Sequence, residues 1–289
     1  MRVMFLGADD VDMVLDESLY GKFAALPAYE EVDEVMIHYT VTQECAFNCR
    51  GCINALTAGK GNSGRSQFFP GKDKEQDLGR DLLGISRLIK DSGKNAAVIV
   101  YYGGEPMLRL EPMARLYRAL PGIVGESASL RHMVITSGHY LEKAIRICPD
   151  LISGMWLTAL SIDGNEEQHD AMRRGTSLKQ IRRQVEALNQ VRKGEVLIWS
   201  TLRPEMSLWD CFDSFMYFRN RAEAEHFFWH CDEGDGMIPD LPGYLDHYRR
   251  DLEKIMGVYL EHMSRGDLLS LTHVNDLLLY LFKKKIRGT

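Results

Sequence analysis

The chain has 289 residues, enough for one large domain or two of about 150 residues each, and far too many for a disulfide-held miniprotein. Hydrophobic residues make up 45% and charged residues 26%, which excludes a disordered or collagen-like chain. Thirty-five Lys and Arg against 41 Asp and Glu leave a formal charge of −6, so no nucleic-acid partner bound through general phosphate neutralisation is expected.

Residues 1–33 read as an N-terminal extension, a short strand Arg2 to Leu6 followed by helix-like segments. Asp9-Asp10 directly after the first apolar run is unlike a secretory signal. No stretch approaches the roughly 18 uninterrupted apolar residues of a membrane span, so a cytoplasmic protein without a membrane partner is expected. Glu34 to Thr42 is rich in β-branched and aromatic residues and reads as a strand that runs into Cys45, Cys49 and Cys52. In a reducing compartment such clustered thiols read as metal ligands, whereas Cys148, Cys211 and Cys231 are scattered. Gly59 to Gly64 lacks the order of a phosphate-binding loop and reads as a mobile loop near the mouth of the fold.

An alternation of helices and strands follows: helix Asp77 to Ser92, strand Ala96 to Tyr102, helix Met113 to Leu120, strand Leu130 to Thr136, helix Leu141 to Ile147 and strand Met155 to Ile162. Helix Leu178 to Arg192, strand Val196 to Leu202, helix Trp209 to Arg219 and strand Glu225 to Trp229 continue it. Trp209, Phe212, Phe215 and Phe218 at helical spacing predict a core face. An acidic loop, Cys231 to Gly243, then leads to helices Tyr244 to Ser264 and Val274 to Lys285, with no further strand expected. Strands separated by helices need crossover connections, so the sheet is expected to be largely parallel and to curl into a full or partial (β/α) barrel. Chemistry then belongs on loops after the carboxyl ends of the strands.

Four such loops carry suitable residues. Cys45-x3-Cys49-x2-Cys52 places three thiolates on one loop, one short of the four ligands a structural zinc wants, and a cubane iron–sulfur cluster held by three cysteines keeps one iron open. Zinc or unpaired thiols are the alternatives. Gly103-Gly104-Glu105-Pro106 ends the second strand, with glycines that allow close backbone approach and a carboxylate for a cationic group, although a plain turn uses the same residues. Thr136-Ser137-Gly138 and Ser161-Ile162-Asp163-Gly164 offer hydroxyls and a carboxylate suited to a ribose or an amino-acid carboxylate. His169-Asp170-x-x-Arg173-Arg174-Gly175 either orients a ligand carboxylate or caps the next helix, the second reading being preferred. His226 and His230, about 13 Å apart at ~3.3 Å per residue, are too distant to share one ion.

Cys45-x3-Cys49-x2-Cys52, the Gly103-Gly104-Glu105-Pro106 strand end, and Ser161-Ile162-Asp163-Gly164 followed by His169-Asp170-x-x-Arg173 resemble the radical S-adenosylmethionine (radical SAM) superfamily. The order is most similar to its peptide- and protein-modifying members with a SPASM domain, such as the anaerobic sulfatase-maturating enzymes, and the resemblance covers about residues 34 to 289. It implies a partial (β/α)6 barrel over 34–232 and a helical linker over 233–289 that would lead to a SPASM-like domain. It further implies a [4Fe–4S] cluster on Cys45, Cys49 and Cys52, with S-adenosylmethionine on the fourth iron. Glu105 and the Gly103-Gly104 backbone, with Pro106 stiffening the exit, would hold the methionine ammonium; Ser137, Ser161, Asp163 and Arg173 would meet the ribose or carboxylate. One electron delivered by a flavodoxin or ferredoxin would release a 5′-deoxyadenosyl radical that takes hydrogen from a peptide or protein; a small metabolite is the alternative substrate, and a noncatalytic iron–sulfur or zinc protein the alternative function. Two departures stand out. Gly51 replaces the aromatic residue usual before the last cysteine, and no cysteine follows Cys231 to bind auxiliary clusters, so either the sequence is cut at a domain boundary, the reading preferred, or it is a barrel-only enzyme whose substrate is held by another chain.

Overall fold

The computed structural model describes residues 34–52, 54, 77–232, 238 and 240–283. The N-terminal extension 1–33 and the Gly59–Gly64 loop lie outside the described residues. Nine strands are described: β1 Glu34–Thr42, β2 Asn48–Cys49, β3 Ala96–Gly103, β4 Ser129–Thr136, β5 Leu157–Ser161, β6 Arg173–Arg174, β7 Glu195–Leu202, β8 His226–Cys231 and β9 Ser270–Leu271. The described helices are α1 Leu78–Ser92, α2 Leu110–Val124, α3 Leu141–Ile147, α4 Pro149–Ser153, α5 Glu166–Met172, α6 Leu178–Asn189, α7 Leu208–Arg219, α8 Leu241–Ser264 and α9 Thr272–Lys283.

Seven strands form one parallel sheet in the order β1-β3-β4-β5-β7-β8-β9. Order in space follows order in sequence because a helical crossover returns the chain to the same sheet edge each time. Among the described residues β1 and β9 do not pair with each other, so the barrel is partial. The expectation that no strand follows β8 is overturned by β9, which extends the sheet beside His226 and Phe227. Two residues are too few to show the alternation by which a strand is read.

Register sorts the side chains onto two faces, since partners in a parallel ladder point the same way. Ile37, Ile99, Val134, Leu160, Ile198 and Phe227 turn towards the helices and join the main core. The helices answer with amphipathic faces: on α1, Leu82, Ile85 and Ile89 are buried, Asp77 caps the start by accepting from the Arg80 amide, and Gly93 ends it at φ 66°. Phe212, Phe215 and Phe218 of α7 are buried as the spacing predicts, Phe215 stacking on Phe227 at 5.4 Å between ring centroids. The opposite face gathers Val98, Val100, Met133, Ala159 and Leu197 into a second, smaller apolar cluster bordered by Trp199 and Phe228.

Candidate active site

The cysteine loop leaves β1 at the carboxyl end of the sheet, and both of its flanks are tied down. On the first flank, the Gly104 amide donates to the Thr42 carbonyl and the Glu105 amide to the Glu44 carbonyl, each at 2.8 Å. The Gly-Gly-Glu turn therefore touches the residue just before Cys45. Gly103 sits at φ +131°, and a Cβ on Gly103 or Gly104 would collide with the carbonyl oxygen of Thr42 or Glu44. The glycines serve a close backbone approach, as the sequence suggested, and in this structure the backbone approached is that of the cysteine loop.

On the second flank, β2 pairs antiparallel with β6, which sets Cys49 opposite Arg173. The Arg50 amide donates to the Met172 carbonyl at 2.8 Å. Gly51 takes the left-handed conformation at φ +59°, and the Asp232 carboxylate, just past β8, fills the space a Cβ would need. A side chain at position 51 would need the Asp232 carboxylate to move and the backbone to hold a left-handed conformation. Between the flanks, Phe47 is buried, its ring 5.3 Å from His139 and 5.8 Å from Tyr140.

Glu105 is buried and accepts four hydrogen bonds from its own chain. Oε1 takes the Met107 amide at 3.1 Å and the Thr136 hydroxyl at 2.6 Å; Oε2 takes the Ser137 amide at 2.9 Å and its hydroxyl at 2.6 Å. Those contacts fill the acceptor capacity of a carboxylate. Glu105 thus joins the end of β3 to the end of β4, and Ser137 is engaged by it. Pro106 opens a single 3-10 turn, Pro106–Leu108, that Glu105 caps. Arg109 clamps Glu44 through two hydrogen bonds of 3.1 and 2.7 Å, and Asn54 Nδ2 donates to the Gly103 carbonyl at 2.6 Å.

Asp163, fully buried after β5, is the second hub. Arg173 donates through NH2 to Oδ1 at 3.1 Å, with its Nε 2.7 Å from Oδ2 as an ion pair without hydrogen-bond geometry. Arg203 donates to Oδ2 at 2.9 Å, and the Thr201 amide to Oδ1 at 2.9 Å. Burial alone would raise the Asp163 pKa, but the two guanidiniums outweigh it and bring it down to about 2. His169 accepts from the Asp163 amide at Nδ1, 3.1 Å away, and burial lowers its pKa to about 3, so it is neutral. Asp170 caps α6 by accepting from the Leu178 amide at 2.8 Å, which is the structural role preferred from the sequence. Ser161 is partly exposed at the end of β5, and its hydroxyl meets no partner among the described residues.

Arg203 escaped the sequence reading although it follows a strand end like the residues that were singled out. Its Nε donates at 2.7 Å to the carbonyl of Arg50, between Cys49 and Gly51. His230, weighed in the sequence only as too far from His226 to share an ion, has Nε2 2.9 Å from the Thr201 hydroxyl and its ring 5.8 Å from Trp199, on the face that also carries Thr40, Tyr102 and Ser161.

Cys45, Cys49 and Cys52 are free thiols of intermediate exposure. Burial pushes the Cys45 thiol up to about 12 and also raises that of Cys49. A bound metal must therefore displace protons to take these ligands. Among the described residues no three His, Cys, Asp or Glu side chains are placed to grip one metal ion. Three soft donors on one loop suit a cluster that offers each thiolate a different iron. His139 Nδ1, buried beside Phe47, has no hydrogen-bond partner among the described residues, which fits a mouth shaped for a further polar group. No described helix is long and apolar enough to cross a membrane.

No family model and no curated protein matches the chain. Among solved structures it is similar to anSMEcpe with bound AdoMet, with a TM-score of 0.67 and 16% identity over 88% of this chain and 68% of that one. The same protein with AdoMet and the Cp18Cys peptide gives 0.64 and 16%, over 88% and 67% of the two chains. Streptococcus suis SuiB bound to S-adenosylmethionine gives 0.54 and 15%, over 92% of this chain and 55% of that one. The shared architecture is a parallel sheet curled into a partial barrel, the fold that the resemblance to the radical SAM enzymes implies.

Proposed function

We propose that this chain is a radical SAM enzyme acting on a peptide or protein. When bound, a [4Fe–4S] cluster and S-adenosylmethionine supply reductive carbon–sulfur cleavage, yielding methionine and a 5′-deoxyadenosyl radical that removes a substrate hydrogen atom. Cys45, Cys49 and Cys52 would hold three of its irons. The Gly103-Gly104 backbone would meet the methionine ammonium, with the Glu105 carboxylate, held by the Ser137 amide and hydroxyl, bracing the turn. The free hydroxyl of Ser161 takes the carboxylate or ribose end, and Asp163 holds Arg173 beside the cysteine loop. Tyr102, Trp199, Thr201 and His230 line the sheet face on which a substrate would lie. The electron comes from a donor of flavodoxin or ferredoxin type.

The observation that carries this reading is the contact between the Glu105 amide and the Glu44 carbonyl, which brings the two diagnostic loops together. A peptide substrate is supported by the similar fold of anSMEcpe, solved with the Cp18Cys and Kp18Cys peptides. The test is anaerobic reconstitution with iron and sulfide, reduction with dithionite, and assay of 5′-deoxyadenosine. Product from the native chain and none from a Cys45, Cys49, Cys52 triple Ala variant supports the assignment. Equal product from both rejects it, and a metal centre whose electron paramagnetic resonance spectrum ignores added S-adenosylmethionine points to a noncatalytic protein.

A further inference from the structure

Asp163, Arg173 and Arg203 form a buried triad whose charges do not cancel. Relative exposure is 0% for the Asp163 side chain, 4% for Arg203 and 12% for Arg173. The two guanidiniums share this one carboxylate, and among the described residues no other ion pair engages either of them. Arg203's remaining contacts are neutral: the carbonyls of Arg50 and Thr201 and the sulfur of Met206. The adjoining His169 ring is neutral as well, because its Nδ1 accepts from a backbone amide and burial disfavours the imidazolium. Within the triad itself one positive charge is therefore left over, largely out of contact with water, while the Asp232 carboxylate lies against Gly51 of the same loop.

That charge lies against the cysteine loop. Arg173 is the cross-strand neighbour of Cys49, and Arg203 reaches the Arg50 carbonyl over 153 positions of sequence. Thiolate-bound clusters are negative and become more negative by one unit on reduction, so a fixed buried cation beside them favours the reduced form. We propose that the Asp163–Arg173–Arg203 triad sets the reduction potential of the cluster held by Cys45, Cys49 and Cys52, raising it through its unbalanced positive charge. The proposal rests on the cluster reading above. The step involved is gain of one electron from the external reductant, with no bond made or broken.

The test is a redox titration of the reconstituted full chain, followed by electron paramagnetic resonance without S-adenosylmethionine and accompanied by an iron count. Arg203→Gln removes the surplus charge and should lower the potential; Asp163→Asn adds to it and should raise it. Each is expected to change the ratio of reduced to oxidised cluster at fixed potential at least tenfold, ~59 mV for one electron. The double variant Asp163→Asn, Arg203→Gln restores the original net charge and should return towards the native potential. Shifts of one sign in both single variants, or no shift, overturn the proposal, because a purely structural role has no reason to reverse with charge. Loss of iron from both single variants also overturns it, the triad then being needed to build the loop. If the native chain itself binds no iron, the cluster reading fails first, and the iron count separates that outcome from the others.

Discussion

Glu105 and Ser137 are joined twice: the carboxylate Oε2 accepts both the amide and the hydroxyl of Ser137, at 2.9 and 2.6 Å. Neighbouring strand ends are fixed to one another by a buried acid, so removing it leaves buried donors without acceptors. Glu105→Ala should cost ~3 kcal/mol of stability, since charged hydrogen bonds contribute about 1.5–3 each and part of the loss relaxes. Glu105→Gln should cost less, because one oxygen still accepts while the new amide faces the Ser137 donors. Chemical unfolding of the three proteins checks the order; a Gln variant as weak as the Ala variant would contradict it.

Gly104→Ala places a methyl group against the Glu44 carbonyl oxygen. Overpacking of this kind costs about 1–3 kcal/mol, and here relief means parting the two loops. The expected result is a lower melting temperature together with fewer irons bound per chain after reconstitution. Gly84→Ala, where nothing lies within 4 Å of the new methyl, should show neither effect.

His132 stacks on Tyr101 at 5.8 Å, and burial lowers its pKa to about 4 from an ordinary 6.5. Below pH 6.5 the unfolded chain binds a proton that the folded chain refuses, so stability falls with acid until the folded pKa is passed. From this residue alone the loss is ~1.4 kcal/mol per pH unit, or about 3 kcal/mol between pH 6.5 and 4. His169, buried neutral, adds a loss of the same sign. Denaturation midpoints for the native chain and His132→Phe should converge as pH falls through this window; parallel curves would refute the assignment.

Asp251 of α8 accepts from the Ser207 hydroxyl and the Trp209 amide at 2.9 and 3.1 Å, so it helps to cap α7 from outside the barrel. With Ile255 and Tyr259 buried and β9 continuing the sheet, α8 belongs to the same cooperative unit as the strands. Asp251→Ala should lower stability by ~2 kcal/mol while keeping a single unfolding transition. An early separate transition for the C-terminal helices would show that they melt on their own.

The alternation of strands and helices was legible because each long strand carries a run of branched and aromatic residues and each main helix a regular apolar stripe. β1 and α3 fall on the bounds read from sequence, and most other elements shift by one to a few residues. β2, β6 and β9 were not legible, since a two-residue pairing leaves no pattern. At the site, motif residues were found, but their division of labour was not. Glu105 and Asp163 looked like ligand contacts from the sequence; in the structure both are surrounded by donors from their own chain, which only tertiary packing reveals. Arg203 was missed because a lone arginine after a strand has no spacing to betray it.

The cysteine loop is fastened by residues that the ribosome makes long after it. Arg50 waits for the carbonyl of Met172 and the guanidinium of Arg203, and Gly51 for the carboxylate of Asp232. A nascent chain emerges from its N-terminus, so these three thiols are synthesised early and stay without their final supports until β8 has left the exit tunnel. Under the proposed function, iron delivered before that moment would meet an unshaped loop, and cluster loading would follow completion of the half-barrel.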